Sequence, residues 1–336
     1  MPDSRIASHG LGYIGLAAVR RRAVPLKEKS LIERIRRAAT LHGQNASRGI
    51  GDDCAVLPLP RGHEALVTTD FSLEDVHFRR EWHPPDSVGH RCLARGLSDI
   101  AAMGGIPRAA FLSLALPAEL PQSWVDKFVA GLLKLAAQFS VSLAGGDTAQ
   151  SPAGILADIV VLGSVPAGQA ILRSGAQSGD FLYVTGTLGS AVAALNQLRA
   201  GKKLRPRSHP KHFYPEPRVA VGQFLREKNL VSAMVDISDG LSTDLGHICE
   251  ESGTGAVVYA EALPAASGKD GLTLALHGGD EYELLFTARP ERRIPKQIAG
   301  VPISRIGEIL SGQQMRLATA DGKTQPLKPA GWEHFG

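Results

Sequence analysis

The sequence has few cysteines and no long apolar run, and each absence excludes a class of protein. Its 336 residues include three widely spaced cysteines, Cys54, Cys92 and Cys249, with no C-x-x-C pair among them. Neither a disulfide framework nor a cysteine-based zinc site is therefore expected, and the pattern favours a reducing, cytoplasmic location. Because a membrane-spanning helix needs about 18 or more consecutive apolar residues, no membrane partner is expected.

The chain also lacks the body-wide positive charge that is typical of nucleic-acid-binding proteins. Its formal net charge is +4, but residues 1–37 hold nine Lys and Arg against three Asp and Glu. The rest of the chain holds 28 basic against 30 acidic residues. The positive charge is therefore a local arm, and we expect no nucleic-acid partner. A nucleic-acid-binding protein that uses this arm stays as an alternative.

Length and composition indicate a globular protein of two domains. Apolar residues make up 43% and charged residues 21% of the chain, as in ordinary soluble proteins. Strands and helices are predicted to alternate in both halves, which favours an α/β or α+β fold. A turn-rich break at 173–180 separates an amino-terminal domain (26–172) from a carboxyl-terminal α/β domain (173–336). Residues 1–25 are expected to form a flexible basic extension before the first domain.

Local patterns predict several elements that carry the argument below. Ser30 and Glu33 form a capping-box pattern at the start of a helix. Residues 66–70 are predicted as a strand that ends in an acid, and 87–103 as a helix. Residues 141–144 are predicted as a strand.

A recurring pattern places Asp, Thr, Ser or Gly directly after an apolar strand. It occurs at 49–53, 67–70, 144–147 and 235–240. Each instance alone is also typical of a turn or a helix cap. In open α/β sheets, however, ligands gather at the carboxyl ends of strands. Carboxylates gathered there would raise each other's pKa, and a hard cation with all-oxygen ligands, such as Mg²⁺, removes that penalty. The adjacent glycines favour a phosphate-bearing substrate, since backbone N–H groups can then approach phosphate oxygens.

Two familiar nucleotide-binding motifs are incomplete. Gly10, Gly12 and Gly15 have the G-x-G-x-x-G spacing, but no buried strand can precede them in so short and polar a segment. The sequence Gly-Lys-Thr at 322–324 resembles the end of a P-loop, yet position 317 holds Leu instead of Gly. If the protein uses ATP, it does so without a P-loop.

A series of motifs in chain order resembles the thiamine-monophosphate kinase family. They are GIGDDCAV at 49–56, TTD at 68–70 with His77 and Phe78, LSDIAAMG at 97–104, GGDT at 145–148, RSGA at 173–176, VTGTLG at 184–189, VDISDGL at 235–241 and GGDEYEL at 278–284. Single motifs are shared with the wider superfamily of aminoimidazole ribonucleotide synthetase, selenophosphate synthetase and hydrogenase-maturation proteins. The full series, from about residue 28 to the carboxyl end, is specific to the kinase family.

The resemblance implies ATP-dependent phosphorylation of thiamine monophosphate to thiamine diphosphate, the last step of thiamine diphosphate biosynthesis, assisted by several Mg²⁺ ions. It also implies a homodimer in which paired amino-terminal mixed sheets form a barrel, and a carboxyl-terminal α/β sandwich. The implied metal ligands are Asp53, Thr68, Thr69, Asp70, Asp99, Asp147, Asp236 and Asp239, with Asp70 and Asp239 as the catalytic pair. The implied ATP contacts are Gly146, Asp147, Arg173 and Ser238, and the implied thiamine contacts are His77, Asp280 and Trp332.

One departure from the family pattern concerns the thiamine side. The family usually has Gly-Gly-Glu-Asp where this chain has Gly-Gly-Asp-Glu at 278–281, so the carboxylate at Asp280 is shorter by one methylene.

The expected reaction is a direct, in-line attack by the acceptor phosphate on ATP. Its second pKa is about 6, so no strong general base is needed. Another ATP-using synthetase of the superfamily and a non-catalytic nucleotide-binding regulator stay as alternatives. The missing nucleophile-handling segment argues against the synthetase, and the intact set of acids argues against the regulator.

Overall fold

The computed structural model describes residues 28–40, 49–50, 54–55, 57–268 and 270–333. The predicted extension at 1–25 and the predicted ligand Asp53 lie outside these residues. Among the helices within the described ranges, none is both long enough and apolar enough to cross a membrane.

The amino-terminal half forms a four-stranded mixed sheet. Its elements are, in chain order, α1 (Glu28–Thr40), β1 (His63–Leu73), α2 (Pro85–Ala102), β2 (Ile106–Pro117), α3 (Gln122–Gln138), β3 (Ser142–Ser151) and β4 (Leu156–Pro166). The strand order is β1-β4-β2-β3, with β2 and β3 parallel and the other neighbours antiparallel. The apolar stripes of α2 and α3 contribute Leu93, Leu97 and Phe128 to the core of this half, which alternate residues of the strands complete.

The carboxyl-terminal half forms a separate eight-stranded mixed sheet. Its elements are, in chain order, β5 (Phe181–Thr185), α4 (Ser190–Arg199), α5 (Pro210–Phe213), α6 (Val219–Glu227), β6 (Ala233–Asp236), α7 (Leu241–Ser252), β7 (Gly255–Tyr259), α8 (Gly271–His277), β8 (Leu284–Ala288), β9 (Gln297–Ile298), β10 (Val301–Leu310), β11 (Met315–Ala318) and β12 (Thr324–Pro326). The main path is β12-β11-β7-β10-β5-β8-β6, and β9 pairs with β10.

Helix α2 joins the two halves. It packs against β1 and β4 of the first sheet and against α6 and β6 of the second half. At its carboxyl end, Ala101 and Ala102 enter an apolar cluster with Leu225, Met234 and Phe286. A single helix therefore places its side chains where both halves meet.

Two strands run further than the sequence predicts. Strand β1 does not end at Asp70, because its antiparallel pairing with β4 continues to Leu73 opposite Leu156. Strand β3 continues through Asp147 to Ser151 alongside β2. The prediction that the strand ends at or before its acid is therefore wrong for Asp70 and Asp147. It is confirmed for Asp236, which is the last residue of β6.

Glycines allow α2 and α3 to approach each other closely. A Cβ atom on Gly131 would lie 1.9 Å from the carbonyl oxygen of Asp86, and one on Gly89 would lie 1.9 Å from that of Phe128. Since both obstacles are backbone atoms, neither can turn away as a side-chain end could. The packing of the first half therefore depends on the absence of side chains at these two positions.

We expect Gly131→Ala to lower the free energy of unfolding by about 1–3 kcal/mol, because the added methyl group must push two helices apart. Gly246→Ala in α7 is the matched control, since its Cβ would meet nothing closer than 3.6 Å. There, replacing a helical glycine should stabilise by up to about 1 kcal/mol. Urea unfolding of both variants tests this expectation, and equal stabilities would contradict it.

Candidate active site

A cleft of about 810 Å³ is lined by residues of both halves. Its walls come from β1, α2, α4, the segment after β6, the segment after α8, and the carboxyl-terminal tail. The cleft gathers most of the predicted site residues: Thr69, Asp70, His77, Asp99, Asp236, Ser238, Asp239, Asp280 and Trp332. Motifs far apart in the sequence thus meet at one place.

Three carboxylates of the cleft lie close enough to oppose each other's ionisation. Burial, together with the charge of Asp99, raises the pKa of Asp70 to about 7. Burial and the charge of Asp99 also raise the pKa of Asp236 well above its usual range. Asp70 comes from β1, Asp99 from α2 and Asp236 from β6, so both halves contribute to this cluster. Such an arrangement favours a cation among the carboxylates.

Hydroxyl groups orient the same carboxylates. Ser98 Oγ donates to Asp236 Oδ2 over 2.6 Å, and Thr68 Oγ1 donates to Asp99 Oδ2. Ser98 and Asp99 are neighbours on α2, so one turn of this helix fixes an acid of each half. The hydroxyl of Thr68 therefore lies beside an acid of the cluster.

A further acid, Asp158 on β4, lies beside the cluster, and the sequence motifs do not identify it. Thr69 Oγ1 donates to Asp158 Oδ1 over 2.7 Å. Asp158 lies directly across from Phe71 in the β1–β4 pairing. No local motif marks this residue, since only the strand register brings it beside Thr69.

Three predicted ATP contacts lie outside the cleft lining. Gly146 and Asp147 are in the edge strand β3, and Asp147 Oδ1 accepts the backbone N–H of Thr148 over 2.8 Å. Gly146 has a φ of 143°, and a Cβ there would lie 1.9 Å from the Leu112 carbonyl oxygen. The packing of β3 against β2 thus requires a glycine at position 146. Arg173 is exposed, but its charge acts on an acid of the cleft. Burial raises the pKa of Asp99, and the hydrogen bond from Thr68 and the positive charge of Arg173 oppose that rise.

Asp280 lines the cleft with a carboxylate that protein groups already surround. Arg91 Nη2 donates to Oδ2 over 2.8 Å, Arg95 Nη2 to Oδ1 over 3.2 Å, and the Tyr282 hydroxyl to Oδ1 over 2.6 Å. Although burial opposes ionisation, the two guanidinium groups hold the pKa of Asp280 well below its usual range. The Asp280 backbone N–H also donates to the Ser238 carbonyl over 2.7 Å, which ties this loop to the one after β6.

Glu281 and Glu283 fix the loop that contains Asp280 to the neighbouring segments of the carboxyl-terminal half. Glu281 Oε1 accepts the backbone N–H groups of Gly189 and Ala191 over 2.9 and 3.2 Å at the start of α4. Glu283 is fully buried. It accepts two hydrogen bonds of 2.7 Å from Arg218 and one of 2.8 Å from Lys211. These contacts fix the cleft wall formed by α4 relative to the loop at 278–283.

The predicted thiamine contacts lie on two further segments of the wall. His77 follows β1, and its Nδ1 accepts the backbone N–H of Leu73 over 3.0 Å. Trp332 is 46% exposed, and its backbone N–H donates to the Asp239 carbonyl over 2.9 Å. The neighbouring Gly331 packs against the same carbonyl so closely that a Cβ would lie 1.9 Å from it. The carboxyl-terminal tail is thus fastened beside the acids after β6.

Two family models match this chain. The model for the AIR synthase related protein, N-terminal domain, matches residues 51–165, and that for the AIR synthase related protein, C-terminal domain, matches residues 177–319. Both halves of the chain are therefore those of an AIR-synthase-related protein.

The similar proteins with a name point to one family within this class. The thiamine-monophosphate kinase of Salmonella typhimurium is 37% identical over 303 residues, which are 85% of this chain and 91% of that protein. The crystal structure of thiamine-monophosphate kinase from Stenotrophomonas maltophilia is 37% identical, with a TM-score of 0.78 over 89% of this chain and 98% of that chain. A structure described as "AaThiL complexed with AMPPCP and TMP" is 30% identical, with a TM-score of 0.74 over 93% of this chain and 100% of that chain.

The chain belongs to the thiamine-monophosphate kinase family. The fold class and the enzyme class predicted from its motifs, an α/β chain and a kinase, are confirmed.

Proposed function

We propose that this chain transfers the γ-phosphate of ATP to thiamine monophosphate and forms thiamine diphosphate. The observation that carries the proposal is the cleft, where carboxylates of both halves converge beside the His77 and Trp332 segments. The family relationship supports the same reaction, and the AaThiL structure holds AMPPCP and TMP together. Two phosphate-bearing reactants fit a site in which charge, rather than an acid–base pair, is the dominant feature.

We propose that several Mg²⁺ ions bind in this cleft. The donors are all oxygens, and the carboxylates repel each other in the absence of a cation, which suits a hard divalent ion. Asp70, Asp99, Asp236 and Asp239 would hold the ions, which would neutralise phosphate charge when bound. Asp53, Asp147 and the two threonines of β1 stay proposed ligands on the resemblance alone.

The chemistry proposed is a single in-line displacement. An oxygen of the acceptor phosphate forms a bond to the γ-phosphorus, the bond from that phosphorus to the bridging β-oxygen breaks, and ADP leaves with the electron pair. The acceptor phosphate is largely deprotonated near neutral pH because its second pKa is about 6. The chain's own task is therefore to bind the two anions, align them and exclude water.

The remaining assignments are proposals of the same kind. Gly146, Asp147, Arg173 and Ser238 are the proposed ATP contacts, and His77, Asp280 and Trp332 the proposed thiamine contacts, with Trp332 stacking on a ring. The domain boundary at 173 is supported by the absence of shared strands between the two described sheets. The proposed homodimer is supported by two exposed apolar residues on β1, Val67 and Phe71, which a paired sheet would cover.

The direct test is ADP release from ATP and Mg²⁺, with thiamine monophosphate compared with free thiamine and the product identified. We expect thiamine diphosphate from the monophosphate only. ATP turnover without that product would instead indicate a synthetase-like relative with another substrate. Nucleotide binding without any turnover would indicate a regulator.

A further inference from the structure

Helix α2 carries a row of three charged residues, and two of them, Arg95 and Asp99, line the cleft. Arg91, Arg95 and Asp99 are four residues apart, so they lie on one face of the helix. Asp99 belongs to the acid cluster. The Arg91 side chain is only 4% exposed, and it donates both to Asp280 and to the carbonyl of His212. The side chain of Arg91 is therefore held in place by hydrogen bonds to other groups of the protein.

Arg95 differs from Arg91 in how much of its hydrogen-bonding capacity the protein uses. Its side chain is 12% exposed and lines the cleft. A guanidinium has five N–H donors, and among the described residues Arg95 makes one hydrogen bond, the 3.2 Å contact with Asp280. The remaining donors are available to a ligand in the cleft.

The charges around Arg95 do not cancel on the Asp280 side. Two guanidinium groups share the one negative charge of Asp280, and Arg91 makes the shorter contact. Arg95 also lies near the acid cluster: burial raises the pKa values of Asp70 and Asp99, and the Arg95 charge opposes that rise in both. Arg95 thus lies near both the acid cluster and Asp280.

We propose that Arg95 binds the phosphate group of the acceptor and makes the site select thiamine monophosphate over free thiamine. This inference rests on the proposed function and names the residue that recognises its acceptor. A planar guanidinium can donate two parallel hydrogen bonds to a phosphate, which gives both strength and orientation. Its place beside the acid cluster would hold the acceptor phosphate next to the proposed nucleotide phosphates, where an in-line attack must begin.

The test compares the binding of thiamine monophosphate and of thiamine, without ATP, by titration calorimetry in the presence of Mg²⁺. The measured quantity is the Kd for thiamine divided by the Kd for thiamine monophosphate. In Arg95→Met, we expect this ratio to fall at least about tenfold, which corresponds to about 1.4 kcal/mol. The Kd for thiamine itself should change little. Arg95→Lys keeps the charge without the fork, and an intermediate ratio is expected.

Asp280→Asn separates phosphate binding from a purely structural role of Arg95. If Arg95 binds the phosphate, removing its partner charge frees the guanidinium, and the ratio stays the same or rises. If Arg95 serves only to fix Asp280, the two variants change the ratio alike. An equal fall in both, or an unchanged ratio in Arg95→Met, would overturn the assignment. Thermal unfolding identifies a misfolded variant, and Arg95→Lys then provides the decisive comparison with the wild type.

The outcome for the proposed function is read separately, from the product of the wild-type enzyme. A wild type that forms no thiamine diphosphate overturns the proposed function, whatever the ratios are. A wild type that forms it, with the same ratio in Arg95→Met as in the wild type, overturns the Arg95 assignment alone.

Discussion

Asp70→Asn is expected to lower kcat by about 10²–10³-fold or more, the cost of losing one group that stabilises transition-state charge. The variant removes one negative charge from a place where burial and Asp99 already oppose it. Its free energy of unfolding, measured without Mg²⁺, should therefore equal or exceed that of the wild type. Turnover at saturating Mg²⁺ and urea unfolding of the metal-free protein measure the two effects.

Asp126→Asn is the matched control, since this carboxylate pairs with Arg34 on the surface, where both side chains are well exposed. Its kcat should be that of the wild type. Near-normal turnover of Asp70→Asn at saturating Mg²⁺ would remove Asp70 from the proposed metal ligands. A large loss of stability would show instead that its carboxylate is structural.

Glu283→Ala is expected to cost about 3–5 kcal/mol of unfolding free energy, because breaking a buried ion pair leaves an uncompensated charge. Glu283 is completely buried, and its partners Arg218 and Lys211 have only 13% and 30% of their side chains exposed. The variant also takes away the acceptor of the Thr185 hydroxyl, which donates to Glu283 over 2.6 Å. Urea unfolding with a fixed m-value measures the loss.

Glu308→Ala provides the comparison, since Glu308 pairs with Arg305 at the surface, with 34% and 42% of the side chains exposed. An exposed pair contributes about 0–1 kcal/mol, so this variant should be nearly as stable as the wild type. Similar losses in the two variants would mean that burial does not set the contribution of Glu283.

The fold could be predicted from the sequence wherever the apolar residues of a single helix or strand repeat with the period of that element. The helix expected at 87–103 is α2, and the strand expected before Asp236 is β6. The ends of β1 and β3 could not be predicted in this way, because pairing with β4 and β2 extends them past an acid and two glycines. Strand length was thus decided by the neighbouring strand and not by the residues of the strand itself.

The site could be predicted only as far as local motifs reach. They identified the acids that line the cleft, but not the residues that orient them. Ser98 and Asp236 are 138 positions apart, and nothing near either residue indicates that they share a hydrogen bond. Arg95 was different, because its spacing from Asp99 on a predicted helix was a signal that the sequence analysis did not use.

The contacts of Asp280 have a consequence for which substitutions this position can accept. A carboxylate held at once by Arg91, Arg95 and Tyr282 fits only one side-chain length. A longer glutamate at this position would drive the carboxylate into the guanidinium groups unless α2 changed as well. The carboxylate of Asp280 and the two arginines of α2 therefore act as one unit, in which a change of length on one side calls for a matching change on the other.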